Sequence, residues 1–243
     1  MKRHIPNLIT CLNAVSGTLA LFMAMYGQLV WAAAFVLFAM VFDFFDGLTA
    51  RLLHVKSEMG KELDSLADAV SFGVVPAVLA HFLIRGALVS GTMASVWMEQ
   101  GLLFAPAVMP AFSAYRLAKF NLDARQSVSF IGMPTPANAL FWVCLVFGCE
   151  CTPVLYDSLF GEAWVLAACA LLLSVLLVSE LPMFSLKVSG FGWQENKIRY
   201  AYFASLAFVG IAWGKAVLLF VVPLYVLFAV VEAVMRRFTT ADR

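Results

Sequence analysis

Charge is scarce in this sequence. Lysine and arginine together number 16, aspartate and glutamate 15, and only 13% of the 243 residues are charged, about half the share of an ordinary soluble domain. The net charge of +1 leaves no basic excess of the kind that draws a protein to nucleic acid. Cysteine offers no scaffold either. The five present (Cys11, Cys144, Cys149, Cys151, Cys169) are odd in number and lie in apolar stretches, which excludes a disulfide framework. Cys149 and Cys151 lack the further Cys or His that a zinc spacing requires, so all five read as small packing residues. Low-complexity linkers and internal repeats are missing as well, and the lack of an inverted repeat counts against a transporter. These absences exclude a disordered chain, a soluble nucleic-acid binder and a secreted disulfide-rich domain. What is abundant is apolar side chain, at 63%.

A spanning helix needs about 20 predominantly apolar residues. Eight stretches qualify as candidates: 8–26, 29–53, 61–85, 102–120, 135–155, 163–181, 198–213 and 216–235. Helices are required, because an isolated strand in lipid leaves its backbone polar groups unpaired. Gly27-Gln28 and Gly214-Lys215 leave room only for tight hairpins. Residues 86–101 form a longer loop, and Pro106 and Pro110 are expected to kink the fourth helix. The fold class expected is therefore all-α, a polytopic membrane bundle of about eight helices. With both termini cytoplasmic, fourteen of the sixteen Lys and Arg residues fall on the inside and only Arg85 and Lys215 outside, as the positive-inside rule demands. Lys2, Arg3 and His4 resemble a signal-peptide start, but the run from Leu8 to Tyr26 lacks a cleavage site followed by a polar mature domain. A bacterial inner membrane is the expected location. The chain reads as one domain, 1–243, with catalytic helices within about 5–137 and accessory helices over about 138–238.

Chemistry concentrates in one place. Asp43 and Asp46 follow the apolar run Leu29–Phe42, and Asp64 and Asp68 open the next helix. Spacings of three and four put each pair on one helix face. The two helices form a hairpin, so four carboxylates converge just beneath the cytoplasmic interface. Carboxylates at membrane depth are costly and mark function. Arg51 can neutralise one, and a hard divalent cation, Mg²⁺ or Mn²⁺, suits the remaining oxygen donors. Such sites keep positions open for substrate phosphates, which points to metal-assisted phosphate chemistry at the membrane surface. Gly47 and Gly60 lack side chains that would block a ligand. Two blander readings compete: interfacial charges or helix N-caps, and a proton or cation relay. His54 and His81 read as interfacial and packing residues, and the 22 phenylalanines as lipid-facing and core residues.

The eight fixed positions Asp43, Asp46, Gly47, Ala50, Arg51, Gly60, Asp64 and Asp68 match the pattern D-x2-D-G-x2-A-R-x8-G-x3-D-x3-D. That pattern resembles the signature of the CDP-alcohol phosphatidyltransferases. The resemblance implies a transferase that uses a CDP-activated lipid, two metal ions and a homodimer. It implies Asp43, Asp46, Asp64 and Asp68 as metal ligands, with Asp68 also the general base on the acceptor hydroxyl. Asp46, Gly47, Ala50, Arg51 and Gly60 are implied contacts of the CDP moiety. Asn7 and Thr10, in a Pro-Asn-x-x-Thr start like that of many relatives, are assigned to the same pocket.

Beyond the signature, Ile5–Asn13 with Ser16-Gly17, Asp64–Ala77, Tyr115–Asn121 and Phe130–Ala137 resemble the integral-membrane phosphatidylserine synthases of that family. The implied reaction is CDP-diacylglycerol plus L-serine giving phosphatidylserine plus CMP. Arg116, Lys119 and Asn121 are candidates for clamping the serine carboxylate, with Ser71 as a further lining residue. For Arg116 and Lys119 the alternative is that they only anchor topology, which is also the reading favoured for Lys187, Lys197 and Arg199. Two alternatives to the serine reaction stand: the same chemistry on glycerol 3-phosphate or inositol, and an ion- or proton-coupled transporter. The last predicts carboxylates spread through the bilayer depth, whereas these cluster at one interface.

Overall fold

The computed structural model describes residues 4–55, 57–90, 95–122, 130–184 and 193–241. Lys2, Arg3, Lys56, Arg125, Lys187 and Arg243, counted above for topology, lie outside the described residues. The chain is all-α. Helix α1 spans His4–Met25 and α2 Leu29–Leu52, joined at Gly27, whose φ of 74° suits the left-handed turn. Their interface is built from small residues. Ser16, Gly17, Ala20 and Ala24 of α1 and Ala32, Ala33, Val36 and Ala39 of α2 are buried, and small side chains let membrane helices approach closely. Large apolar residues such as Phe22, Phe38 and Ile211 stay exposed, as a lipid-facing surface requires.

The third span is continuous but not uniform. Helix α3, Glu58–Asp68, runs into a π-helical segment, Ala69–Val74, and on into α4, Val75–Ser90. The fourth begins earlier than expected, with α5 at Val96–Phe104. A 3₁₀ turn over Ala105–Ala107 then leads into α6, Val108–Leu122. Pro106 sits in that turn, which is the expected break, whereas Pro110 falls in the first turn of α6, where a missing N–H costs nothing. The stretch read as 135–155 divides into α7, Thr135–Cys151, and α8, Pro153–Phe160, because Pro153 cannot continue α7. Helix α9, Ala163–Val178, leaves α8 at an angle of 72°.

By length and composition, five described helices can cross a membrane, or six when the bent pair α8–α9 counts as one span. That is fewer than the eight stretches expected. Helix α7 is a shorter apolar helix of 17 residues, at the lower end of spanning length. The run Asn196–Met235 counts once although it folds back on itself. Helix α10, Trp193–Trp213, ends at Gly214 with φ of 56°, and a 3₁₀ turn over Gly214–Phe220 leads into α11, Val221–Ala241. The Tyr202 hydroxyl donates to the Val221 carbonyl at 3.1 Å, whereas a straight helix would hold residues 19 apart about 28 Å from each other.

One feature outside the helices is a short strand pairing. Strands β1, Phe130–Ile131, and β2, Pro182–Met183, pair antiparallel, Phe130 with Met183 and Ile131 with Pro182. Gly132 continues that ladder at φ 78°, donating to Leu181 at 2.9 Å, and a Cβ there would meet the Leu177 carbonyl at 2.7 Å. This short pairing satisfies backbone groups that would otherwise be left open beside the bundle. The core lies among α4, α6, α7 and α9 around Leu79, Ile84, Met109, Trp142, Leu145 and Leu166, all fully buried.

Candidate active site

The turn between α2 and α3 is tightly specified. The backbone N–H groups of Leu53, His54 and Val55 close back on Thr49, Arg51 and Ala50, and His54 takes a φ of 51°. Ser57 caps α3, its hydroxyl accepting from Gly60 N at 3.2 Å. This hairpin brings the two aspartate pairs together. Carboxylate oxygens of Asp43, Asp64 and Asp68 lie within 4.8 Å of one another. Asp46 is not in that trio. It is buried one turn along α2 and accepts a hydrogen bond of 2.6 Å from the Thr10 hydroxyl.

Helix α1 carries no acid, yet it touches two of the four. Three residues past Thr10, the fully buried Asn13 donates from Nδ2 to Asp68 Oδ1 at 3.1 Å. The Asn13 carbonyl in turn accepts from Ser71 Oγ at 3.1 Å, one turn past Asp68. Gly17 makes this approach possible, because a Cβ there would lie 2.3 Å from Ser71 Oγ. Asn13 was quoted within the resemblance above without a role. The legible signal was an amide in an apolar helix, on the face of Thr10.

Beside the carboxylates lies a cavity of about 640 Å³, within the range of small-molecule sites. Its walls include Asn7, Thr10, Asp46, Gly47, Ala50, Gly60 and Asp64, so six of the seven residues implied for CDP share one space. Gly47 faces open volume, and a Cβ on Gly60 would come within 3.0 Å of Asn7 Oδ1. Arg51, the seventh, is exposed and donates from Nε to the Gly47 carbonyl at 3.0 Å. Lys61, not anticipated from sequence, also lines the cavity and donates from Nζ to the Asn121 carbonyl at 2.7 Å.

The residues considered for the acceptor fall in different places. Arg116 is buried, its Nη1 donating to Thr135 Oγ1 at 3.2 Å while its guanidinium lies over the Phe120 ring at 5.4 Å. Asn121 ties α6 to α3, donating from Nδ2 to Ser65 Oγ at 2.8 Å. Lys119 faces away, paired with Glu180 at 3.7 Å. Ser71 is buried in the contact with α1.

The carboxylate trio fits a hard divalent cation. Asp64 Oδ1 is buried without a hydrogen-bond partner, and a buried carboxylate oxygen in that state is costly. Facing two further carboxylates, it has the surroundings of a metal ligand, and all-oxygen donors suit Mg²⁺ or Mn²⁺.

A membrane-embedded helical bundle with carboxylates gathered beside a ligand-sized cavity suits metal-assisted chemistry on a phosphate group. The chain belongs to the CDP-alcohol phosphatidyltransferase family, whose model matches residues 3–176. Among curated proteins it is similar to the CDP-diacylglycerol–serine O-phosphatidyltransferase of Bacillus subtilis, 37% identical over 144 residues, 59% of this chain and 76% of that one. The enzyme of the same name from Helicobacter pylori is 37% identical over 143 residues, 58% of this chain and 56% of that one. The one from Mycobacterium bovis is 34% identical over 194 residues, 74% of this chain and 60% of that one. The chain thus spans three quarters of the first relative and less than two thirds of the other two.

Proposed function

We propose that this protein transfers the phosphatidyl group of CDP-diacylglycerol to the hydroxyl of L-serine, giving phosphatidylserine and CMP. The observation that carries the reading is the convergence of Asp43, Asp64 and Asp68 beside a cavity walled by the residues of the family signature. Serine as acceptor is supported by the names of the relatives above.

In this reading the cavity holds the CDP moiety, with Gly47 and Gly60 leaving room for it and Thr10 fixing the carboxylate of Asp46. Asp43, Asp64 and Asp68, with Asp46 beside them, hold Mg²⁺ or Mn²⁺, whose charge offsets that of the diphosphate. Asn13 fixes the rotamer of Asp68, which takes the proton of the serine hydroxyl. The serine oxygen forms the new bond to phosphorus, the bond from phosphorus to the CMP oxygen breaks, and CMP leaves with that electron pair. Purified protein supplied with CDP-diacylglycerol and a divalent cation is expected to release CMP only when L-serine is added, with phosphatidylserine as the lipid product. Release that depends on a different alcohol would overturn serine as the acceptor.

We also propose that the chain is a single domain of about eight spans in a bacterial inner membrane. Both termini and the site then face the cytoplasm, a reading supported by the fourteen inward Lys and Arg residues. A C-terminal tag is then expected to resist protease in intact spheroplasts and to be cut in inverted vesicles. A homodimer follows from the family resemblance, and cross-linking in native membranes tests it.

A further inference from the structure

Nearly all buried polar side-chain atoms in folded proteins find a partner. Among the described residues those without one fall in two places. Asn13 Oδ1 and Asp64 Oδ1 belong to the carboxylate cluster, and the remainder sit on α6 and α7: Ser113 Oγ, Arg116 Nε, Asn138 Oδ1 and, one turn deeper, Trp142 Nε1. Ser113 and Asn138 are fully buried and Arg116 is 7% exposed.

The first three of these share a neighbourhood. Ser113 and Arg116 are three apart on α6, so they lie on one face. That face meets α7 through two side-chain bridges, Arg116 Nη1 to Thr135 Oγ1 at 3.2 Å and Asn138 Nδ2 to Met109 Sδ at 3.7 Å. The third wall is the π-helical segment that starts directly after Asp68. A Cβ on its Gly73 would lie 3.1 Å from Ser113 Cβ. Ser113 therefore sits about one turn below Asp68, with Arg116 one turn nearer the carboxylate cluster and Asn138, beside Met109, one turn further from it.

An unpartnered polar atom in such a place is costly, and an apolar side chain of similar shape avoids the cost. Three such atoms along one seam between α6 and α7 are accounted for when a ligand takes them up. Their chemistry specifies the ligand. Arg116 supplies a fixed positive charge and an unused N–H, a match for a carboxylate. Ser113 Oγ and Asn138 Oδ1 supply acceptors without negative charge, a match for an ammonium group. A phosphorylated alcohol brings no ammonium group to those acceptors, and a neutral polyol has no charge for Arg116.

We propose that Ser113, Arg116 and Asn138 select the acceptor, binding the carboxylate and ammonium of a free α-amino acid so that its side-chain hydroxyl points up to Asp68. This rests on the transferase reading given above and adds the residues that discriminate among alcohols.

The test compares wild type with Ser113→Ala and Asn138→Leu in detergent, following CMP release against serine and against CDP-diacylglycerol, together with thermal unfolding. Loss of uniform acceptor binding raises KM with little change in kcat. The expected result is a serine KM at least tenfold higher in each variant. KM for CDP-diacylglycerol and the Mn²⁺ needed for half activation are expected to stay unchanged, with melting temperatures equal to or above wild type. That last readout separates a ligand site from packing, because residues kept for structure lower the melting temperature when removed. A serine KM within twofold of wild type overturns the proposal. So does a variant that melts early and loses activity toward every substrate alike. If Asn138→Leu does not fold, Ser113→Ala, which removes a single atom, decides between the same two outcomes. Wild-type protein that releases CMP only with another alcohol overturns the acceptor reading itself, and this site with it. Wild type that uses serine while the variants behave like it overturns the site alone.

Discussion

Asp68 is held from one side and shared on the other. Asn13 donates to its Oδ1 at 3.1 Å, and its carboxylate belongs to the trio within 4.8 Å. Replacing it by asparagine keeps the shape and removes both the negative charge and the ability to take a proton. Asp68→Asn is expected to lower CMP release by roughly 10²–10⁴-fold, the usual contribution of a general base, while the protein still elutes as a folded species on gel filtration. Wild-type turnover in that variant would remove Asp68 from the chemistry. The eight signature positions were legible in the sequence because the spacing of the acids and glycines is itself the pattern. Asn13 was legible only as an amide in an apolar helix on the face of Thr10, and Lys61 not at all, because nothing in their local sequence says which carboxylate or carbonyl a neighbouring helix will present to them. Lys119 shows the converse: its position near the end of α6 suggested the site, and the fold turned it toward Glu180.

At the scale of elements, the site depends on how closely α1 lies against the helix of Asp68. Gly17 sets that distance, with a Cβ at this position reaching 2.3 Å from Ser71 Oγ. Gly17→Ala is expected to push the two helices apart at a cost of about 1–3 kcal/mol, seen as a lower melting temperature in detergent and a matching loss of activity. An unchanged melting temperature would mean that the contact relaxes freely. Helix positions were readable from the apolar runs, and the early stretches 8–26 and 29–53 differ from α1 and α2 by a few residues at their ends. The division of 135–155 at Pro153 was readable in principle, since proline ends a helix. The π-helical segment was not. Gly73 within it and Pro76 just beyond it signal an irregularity but not its kind, and the wide turn packs against α1, α6 and α7.

For the whole molecule, the acids gather at one end of the bundle instead of being spread along its depth, which is the arrangement a surface reaction needs and a transmembrane relay does not. Chelation by EDTA is therefore expected to abolish CMP release without dissolving the fold, and Mg²⁺ or Mn²⁺ to restore it. Turnover that survives chelation would refute the metal requirement. The sequence conveyed the bundle because lipid imposes helices on any apolar run. It conveyed less of the arrangement of the later helices, where the hairpin at Gly214 and the bend between α8 and α9 follow from tertiary packing. The π-helical segment has a consequence of phase. Each residue advances a helix by about 100°, so the extra residue in a π turn resets the angular relation between the two halves of one span. The half bearing Asp64 and Asp68 can face the chemistry while the half bearing Leu79 and Ile84 faces the core. Winding all six residues 69–74 as a regular helix would leave every atom of the acids in the protein, yet aim them about a quarter turn away from their partners, whereas deleting one of the six would restore a regular helix and keep their aim.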